Sequence, residues 1–147
     1  MDKTYGGFLV SQIKQLQARA FERMLRDSGV DAFNGAQGRI LYVLWERGRL
    51  TISEIGRLTS LAKTTLTGML DRMEAAGLVV RTPDPVNRRQ IHIELTAQAR
   101  GYRAAYDRVS REMDERFYRG FSDNEIEAFE RQLRRIIQNL EEPDKEE

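Results

Sequence analysis

Leu61-Ala62-Lys63-Thr64-Thr65-Leu66-Thr67-Gly68-Met69-Leu70-Asp71-Arg72-Met73-Glu74-Ala75-Ala76-Gly77-Leu78-Val79 carries the period and the punctuation on which the fold turns. Leu66, Met69, Leu70 and Met73 recur at steps of three and four, the signature of one buried helix face, and Gly77 supplies the stop. The opposite side carries Lys63, Thr64, Thr65, Thr67, Gly68 and Arg72. Just upstream, Thr51-Ile52-Ser53-Glu54 reads as a capping box that opens a shorter helix near Ile52, with Ile55 and Leu58 on its inner face and a break at Thr59-Ser60. The order is helix, tight turn, helix.

Downstream the period changes. Leu78-Val79-Val80-Arg81-Thr82 is an apolar, β-branched run halted by Pro83. Gln90-Ile91-His92-Ile93-Glu94-Leu95 alternates strictly, placing Ile91, Ile93 and Leu95 on one face and Gln90, His92 and Glu94 on the other. Between them, Asp84-Pro85-Val86-Asn87-Arg88-Arg89 makes a turn with a basic tip, so the second helix is followed by a wing.

Farther out, Phe8, Leu9, Ile13, Leu16, Ala20, Phe21, Met24 and Leu25 mark the buried face of an N-terminal helix ended by Gly29. A second helix is predicted over Ala36 to Trp45, with Gly48 past its end. Thr96 caps a single long helix bearing Tyr102, Ala105, Tyr106, Val109, Met113 and Phe117. Ser122-Asp123-Asn124-Glu125 is a second capping box, opening a last helix with Ile126, Phe129, Leu133, Ile136, Ile137 and Leu140. The end, Asp144-Lys145-Glu146-Glu147, is expected to fray. Long amphipathic helices on either side of a central module need their apolar faces covered, and a second copy of the chain is the simplest cover, so a homodimer is expected.

Composition narrows the function. Residues 1–100 hold 15 Lys and Arg against 10 Asp and Glu, whereas 101–147 hold 9 against 13, so a net charge of only +1 conceals a basic first part, suited to a polyanion. The chain has no cysteine, which excludes disulfides, thiolate metal sites and thiol redox switching. Its one histidine, His92, reads as a surface residue rather than a ligand, so neither metal nor cofactor is expected. With so few groups for nucleophilic or acid–base work, the chain does not read as an enzyme. No apolar run reaches membrane-spanning length and the N-terminus lacks a secretory stretch, so a cytoplasmic location is expected.

A helix fits the major groove of duplex DNA, and a basic hairpin can reach the neighbouring minor groove. The DNA-contacting set read from the chain is Ser60, Lys63, Thr64, Thr65, Thr67, Gly68, Arg72, Arg88 and Arg89. Arg72 has a second reading as a partner of Asp71, Asp84 or Glu74. Two other functions fit the same pattern: a winged-helix module for an acidic protein partner, and a nonspecific architectural DNA binder.

The quoted stretch, the wing Arg81-Thr82-Pro83-Asp84-Pro85-Val86-Asn87-Arg88-Arg89 and the following Leu95-Thr96 together resemble the MarR family of bacterial winged-helix regulators. The order of six helices and one hairpin extends the resemblance over nearly the whole chain. It implies a mainly α fold with a small β-hairpin, one unit over 1–147 in which 36–95 is a winged helix-turn-helix DNA-binding lobe and 5–30 with 96–141 a helical dimerisation lobe. It further implies a homodimer on a pseudo-palindromic operator, acting as a repressor relieved by a small-molecule effector. Tyr42, Trp45, Tyr102 and Tyr106 are the candidate effector pocket, with core packing the competing role for the same aromatic rings. Four positions depart from the family pattern: Gly68 lacks a base-reading side chain, Asn87 replaces an acidic residue beside the wing arginines, Ala62 is a poor cap, and Ala99 stands in place of a frequent glycine. Asp84 or Asp71 could take over the tether lost at Asn87.

Overall fold

Three helix starts are fixed by the same reciprocal chemistry, in which a cap side chain accepts from the third helical amide and that residue's side chain reaches back. In a computed structural model describing residues 3–143, capping boxes open at Asn34 with Gln37, Thr51 with Glu54 and Ser122 with Glu125. The first of these was not read from the sequence, which placed the start of that helix at Ala36 rather than Gly35. The acidic end over 144–147, expected to fray, lies outside the described residues.

The elements in order are α1 (Gly6–Asp27), α2 (Gly35–Arg47), β1 (Leu50–Thr51), α3 (Ile52–Thr59), α4 (Lys63–Ala75), β2 (Val79–Pro83), β3 (Ile91–Leu95), α5 (Ala97–Arg100), α6 (Arg103–Phe117) and α7 (Asp123–Glu141). The strands form one antiparallel sheet in the order β1-β3-β2, with Leu50 opposite Ile93 and Val79 opposite Leu95. β1 is an addition to the expected hairpin; at two residues it is too short to show a period. The single long helix expected after Thr96 is broken into α5 and α6 at Gly101-Tyr102. Thr96 caps the short first piece, accepting from the Ala99 amide.

Two compact units divide the chain, Met1–Arg111 and Glu112–Glu147. The first is built on Leu25, Ile40, Leu41, Leu44, Ile55, Leu66, Leu70, Met73, Leu78, Val79 and Ile93, all fully buried. The four apolar positions of α4 named from the sequence are all in this core. Three sets of expected inward residues are not. Leu58 is exposed because the inner face of α3 runs through Ile52, Ile55 and Thr59, leaving Leu58 on its flank. Ile91 keeps the alternation but lies beyond the core, toward the wing tip. On α1, Phe8, Leu9, Ile13 and Leu16 stand in solvent, and the helix first becomes buried at Leu25. In the second unit, Phe117, Tyr118, Phe121 and Phe129 form an aromatic group, and the Tyr118 hydroxyl donates to Glu130 Oε2 at 2.7 Å. No helix among the described residues is long and apolar enough to cross a membrane.

Candidate nucleic-acid interface

The turn between α3 and α4 sets the pose of α4. Ser60 takes the left-handed conformation at φ 59°, and Thr59 ties the turn together, its hydroxyl donating to Ile55 O at 2.6 Å and accepting from the Leu61 amide. A left-handed residue is costly for a side chain with a Cβ, so the turn is held by its hydrogen bonds and the packing of α3 and α4 rather than by local preference. Ala62 caps nothing with its side chain, as expected. With Leu66, Met69, Leu70 and Met73 buried, Lys63, Thr64, Thr65, Thr67 and Arg72 are exposed and Gly68 is half-buried. Ser60 is exposed at the head of this row.

The wing tip is a set of side chain to backbone bonds. Asp84 Oδ1 accepts from the amides of Val86 and Asn87, each at 2.8 Å. Asn87 Oδ1 accepts from the Arg89 amide at 3.2 Å, so the residue that departs from the family pattern has a turn-forming role. Backbone bonds between Asp84 and Gln90, and from the Gln90 amide to Asn87 O, close the loop. Arg88 and Arg89 emerge exposed, and neither has an ion-pair partner among the described residues. Asp84 is held down to about 2 by the Asn87 amide first, then by His92 and the Val86 amide, so the turn-forming group is a carboxylate at neutral pH.

Helix and wing converge on one open cleft of about 460 Å³, lined among others by Ser53, Arg57, Lys63, Arg89 and Gln90. Lys63 and Arg89, read as separate contributions from the sequence, share this cleft. Arg57 joins them and was missed, because an arginine on a short capped helix carries no motif of its own.

The acidic residues offered as partners for Arg72 are taken. Arg81 Nη2 contacts Asp71 Oδ1 at 2.8 Å and its Nη1 contacts Glu74 Oε1 at 3.6 Å, tying the base of the wing to α4. Asp84 pairs with His92 at 2.8 Å. Arg72 makes no ion pair among the described residues; it lies along Gly68, where a Cβ would stand 3.6 Å from its Nη1. His92 is therefore no surface residue: it is half-buried and paired with Asp84. No cluster of potential metal ligands occurs among the described residues.

The four aromatic residues offered as an effector pocket are brought together, with Phe33, around Tyr106. Trp45 and Tyr106 are buried, their ring centroids 5.2 Å apart, and Trp45 Nε1 donates to Ala99 O at 3.1 Å. Tyr102 is half-buried against Phe33, and Tyr42 is exposed. Trp45 also lines an open cleft of about 470 Å³ with Arg49, Glu94, Arg100 and Arg103. Two of those arginines are already engaged, Arg49 with Glu94 at 3.4 Å and Arg103 with Glu46 at 2.7 Å.

Comparison with known proteins places this geometry among others. The profile of the MarR family matches residues 33–91, from two residues before α2 to the first residue of β3. The HTH-type transcriptional repressor IacR of Pseudomonas putida is 28% identical over 120 residues, 82% of this chain and 70% of that protein. Other HTH-type transcriptional regulators match over less, the chain spanning rather more than half of their length. Among solved structures, reduced AbfR bound to DNA is 26% identical with a TM-score of 0.71, covering 90% of this chain and 88% of that one. A mutant of MarR from E. coli, complexed with operator DNA, has a TM-score of 0.79 at 24% identity, covering 88% of this chain and 91% of that one, and shares the fold.

Proposed function

We propose that the chain is a member of the MarR family and, on that premise, a cytoplasmic, homodimeric transcriptional regulator that binds double-stranded DNA. The observation that carries this reading is the exposed row of Lys63, Thr64, Thr65 and Thr67 on α4, sharing a cleft with the wing through Lys63 and Arg89. Lys63 neutralises phosphate, the threonines offer hydroxyls to phosphate and methyls to thymine, and Arg88 and Arg89 enter the minor groove, where the potential is most negative. Gly68 and Arg72 lie farther along the same face, with Ser60 at its head.

A second copy places two α4 helices about 34 Å apart, one turn of B-DNA, which matches a pseudo-palindromic operator. The exposed apolar stripe of α1 supports such pairing. The chain acts as a repressor, and a small ligand seated against the aromatic cluster of Tyr42, Trp45, Tyr102 and Tyr106 relieves it by favouring a dimer with the wrong spacing.

The test is fluorescence anisotropy with the duplex upstream of the protein's own coding frame against a scrambled duplex, at low and near-physiological salt. Selective binding that falls steeply with salt, and that R88A/R89A weakens without unfolding the protein, is the expected result. Equal affinity for both duplexes on this and on every other promoter tried would leave an architectural binder; no binding at low salt would overturn the reading.

A further inference from the structure

The one histidine of the chain stands where the wing joins the sheet, and the contacts assigned to DNA leave it unused. On the central strand β3, His92 is opposite Thr51 of β1 and Thr82 of β2. Its Nε2 is 2.8 Å from Asp84 Oδ2, and the two side chains are only 16% and 22% exposed. The other oxygen of the same carboxylate organises the wing turn through the amides of Val86 and Asn87. One carboxylate thus joins two things: the turn that presents Arg88 and Arg89, and an imidazole fixed in the sheet. His92 Nδ1 is buried with no hydrogen-bond partner, so among the described residues Asp84 is the ring's polar anchor.

We propose that His92 is a positioning residue for DNA binding: it holds Asp84, and through it the wing turn, and a proton taken up by the imidazole tightens that hold. The proposal rests on the DNA-binding reading above. An imidazolium bonded to a carboxylate makes a charge-assisted hydrogen bond, shorter and stronger than the neutral one. The charged groups around the ring are Asp84 from the wing, Glu54 at the start of α3 with Arg57 acting on it, and Glu94 on the same face of β3, held by Arg49 at 3.4 Å. Asp84 and Glu54 are both held below the ordinary carboxylate range by hydrogen bonds from backbone amides, so both are carboxylates at neutral pH. Protonation also cancels the Asp84 charge beside a surface that must approach phosphate.

Two measurements on the full chain test this. In the free protein, amide spectra recorded along a pH titration that protonates the His92 ring are expected to show Val86 and Asn87 shifting together with the ring signals. In H92Q, which can donate to Asp84 but takes no proton, those shifts are expected to vanish. In anisotropy with the upstream duplex at low salt, wild type is expected to bind more tightly at the acidic end. H92L is expected to bind about ten-fold more weakly there, the loss carried by one charge-assisted contact. H92Q is expected to keep the wild-type affinity of the alkaline end at both pH values. Wild-type binding that H92L and H92Q match throughout, or wing amides indifferent to the His92 titration, overturns the role of His92 alone. No binding by wild type at low salt overturns the DNA reading, and the binding role of His92 with it.

Discussion

Cε2 of Tyr106 lies 2.6 Å from the point where a Cβ on Gly38 would stand, with Phe33 Cε2 at 3.3 Å from the same point. Glycine at this place in α2 is thus what lets the helix close on the aromatic cluster. The Tyr106 ring has little room to step aside, since Phe21, Phe33, Tyr42 and Trp45 surround it at centroid distances of 5.2 to 6.4 Å. Gly38→Ala gains about 1 kcal/mol of helix propensity and loses about 1–3 kcal/mol to overpacking. A lowered urea midpoint is expected. The penalty should shrink in a Tyr106→Leu background, a coupling that a double-mutant cycle reads directly; an additive cycle would show that the contact carries no strain.

The helix-turn-helix depends on one local reciprocity. The Thr51 amide and hydroxyl both donate to Glu54 Oε1, at 3.1 and 2.9 Å, while the Glu54 amide donates to Thr51 Oγ1 at 3.2 Å. Thr51→Ala removes the cap and is expected to cost about 1 kcal/mol, with Thr51→Ser close to wild type. Thermal unfolding of the two variants against wild type decides it, and equal losses for both would place the effect in the threonine methyl instead.

These two cases mark what was legible in the sequence. Thr51 and Glu54 are three residues apart, and the spacing alone announces their contact. The buried face of α4 was legible for the same reason, since Leu66, Met69, Leu70 and Met73 need only the helical period to be assigned. Gly38 and Tyr106 meet through tertiary packing that no local pattern encodes. Arg81 with Asp71, and His92 with Asp84, depend on sheet register and on where the wing folds back. The exposure of Phe8, Leu9, Ile13 and Leu16 differs in kind: the helical period was read correctly, but what covers an apolar face is a property of neighbours rather than of the helix.

Acid should weaken the wing turn through Asp84. Its carboxyl is held down to about 2, against an ordinary value near 3.8, chiefly by the Asn87 amide and next by His92. A depressed folded-state value contributes stability above the unfolded value and loses it as pH falls through the folded one, so the window runs from about pH 4 down to about pH 2. Over that range wild type is expected to lose more stability than Asp84→Asn, followed by chemical unfolding at each pH. Parallel losses would mean that the Asp84 contacts are equally strong in the unfolded chain.

Alkali should act on the second unit through Tyr118. Burial first, and then the hydrogen bond to Glu130, push its phenol up to about 12. A raised value favours the neutral phenol in the folded state, so its contribution is complete below about pH 10 and is lost as pH rises toward 12. Ultraviolet titration of the five tyrosines is expected to show a late-ionising component that Tyr118→Phe diminishes. Tyr106, raised mainly by burial, should remain late in that variant. An unchanged titration curve in Tyr118→Phe would contradict the assignment.

Self-association should be governed by α1. Phe8 is 72% exposed and Leu16 53%, on the same helix whose Leu25 is 1% exposed. Leaving such a stripe in water forgoes about 1.5–3 kcal/mol for each large apolar side chain that could be fully buried. A second copy of the chain is the cover proposed above. Ile13→Glu with Leu16→Glu places two carboxylates on that stripe, where burial without partners is prohibitive, while leaving the core of the first unit untouched. Light scattering behind size exclusion is expected to show wild type at twice the chain mass and the variant at the chain mass, with helical circular dichroism preserved. Loss of one α4 from each complex should also abolish the selective component of DNA binding, because a monomer reads only half of a pseudo-palindrome. A variant that stays at twice the chain mass would move the interface away from the α1 stripe, and the exposed Ile136, Ile137 and Leu140 of α7 would be the next positions to change.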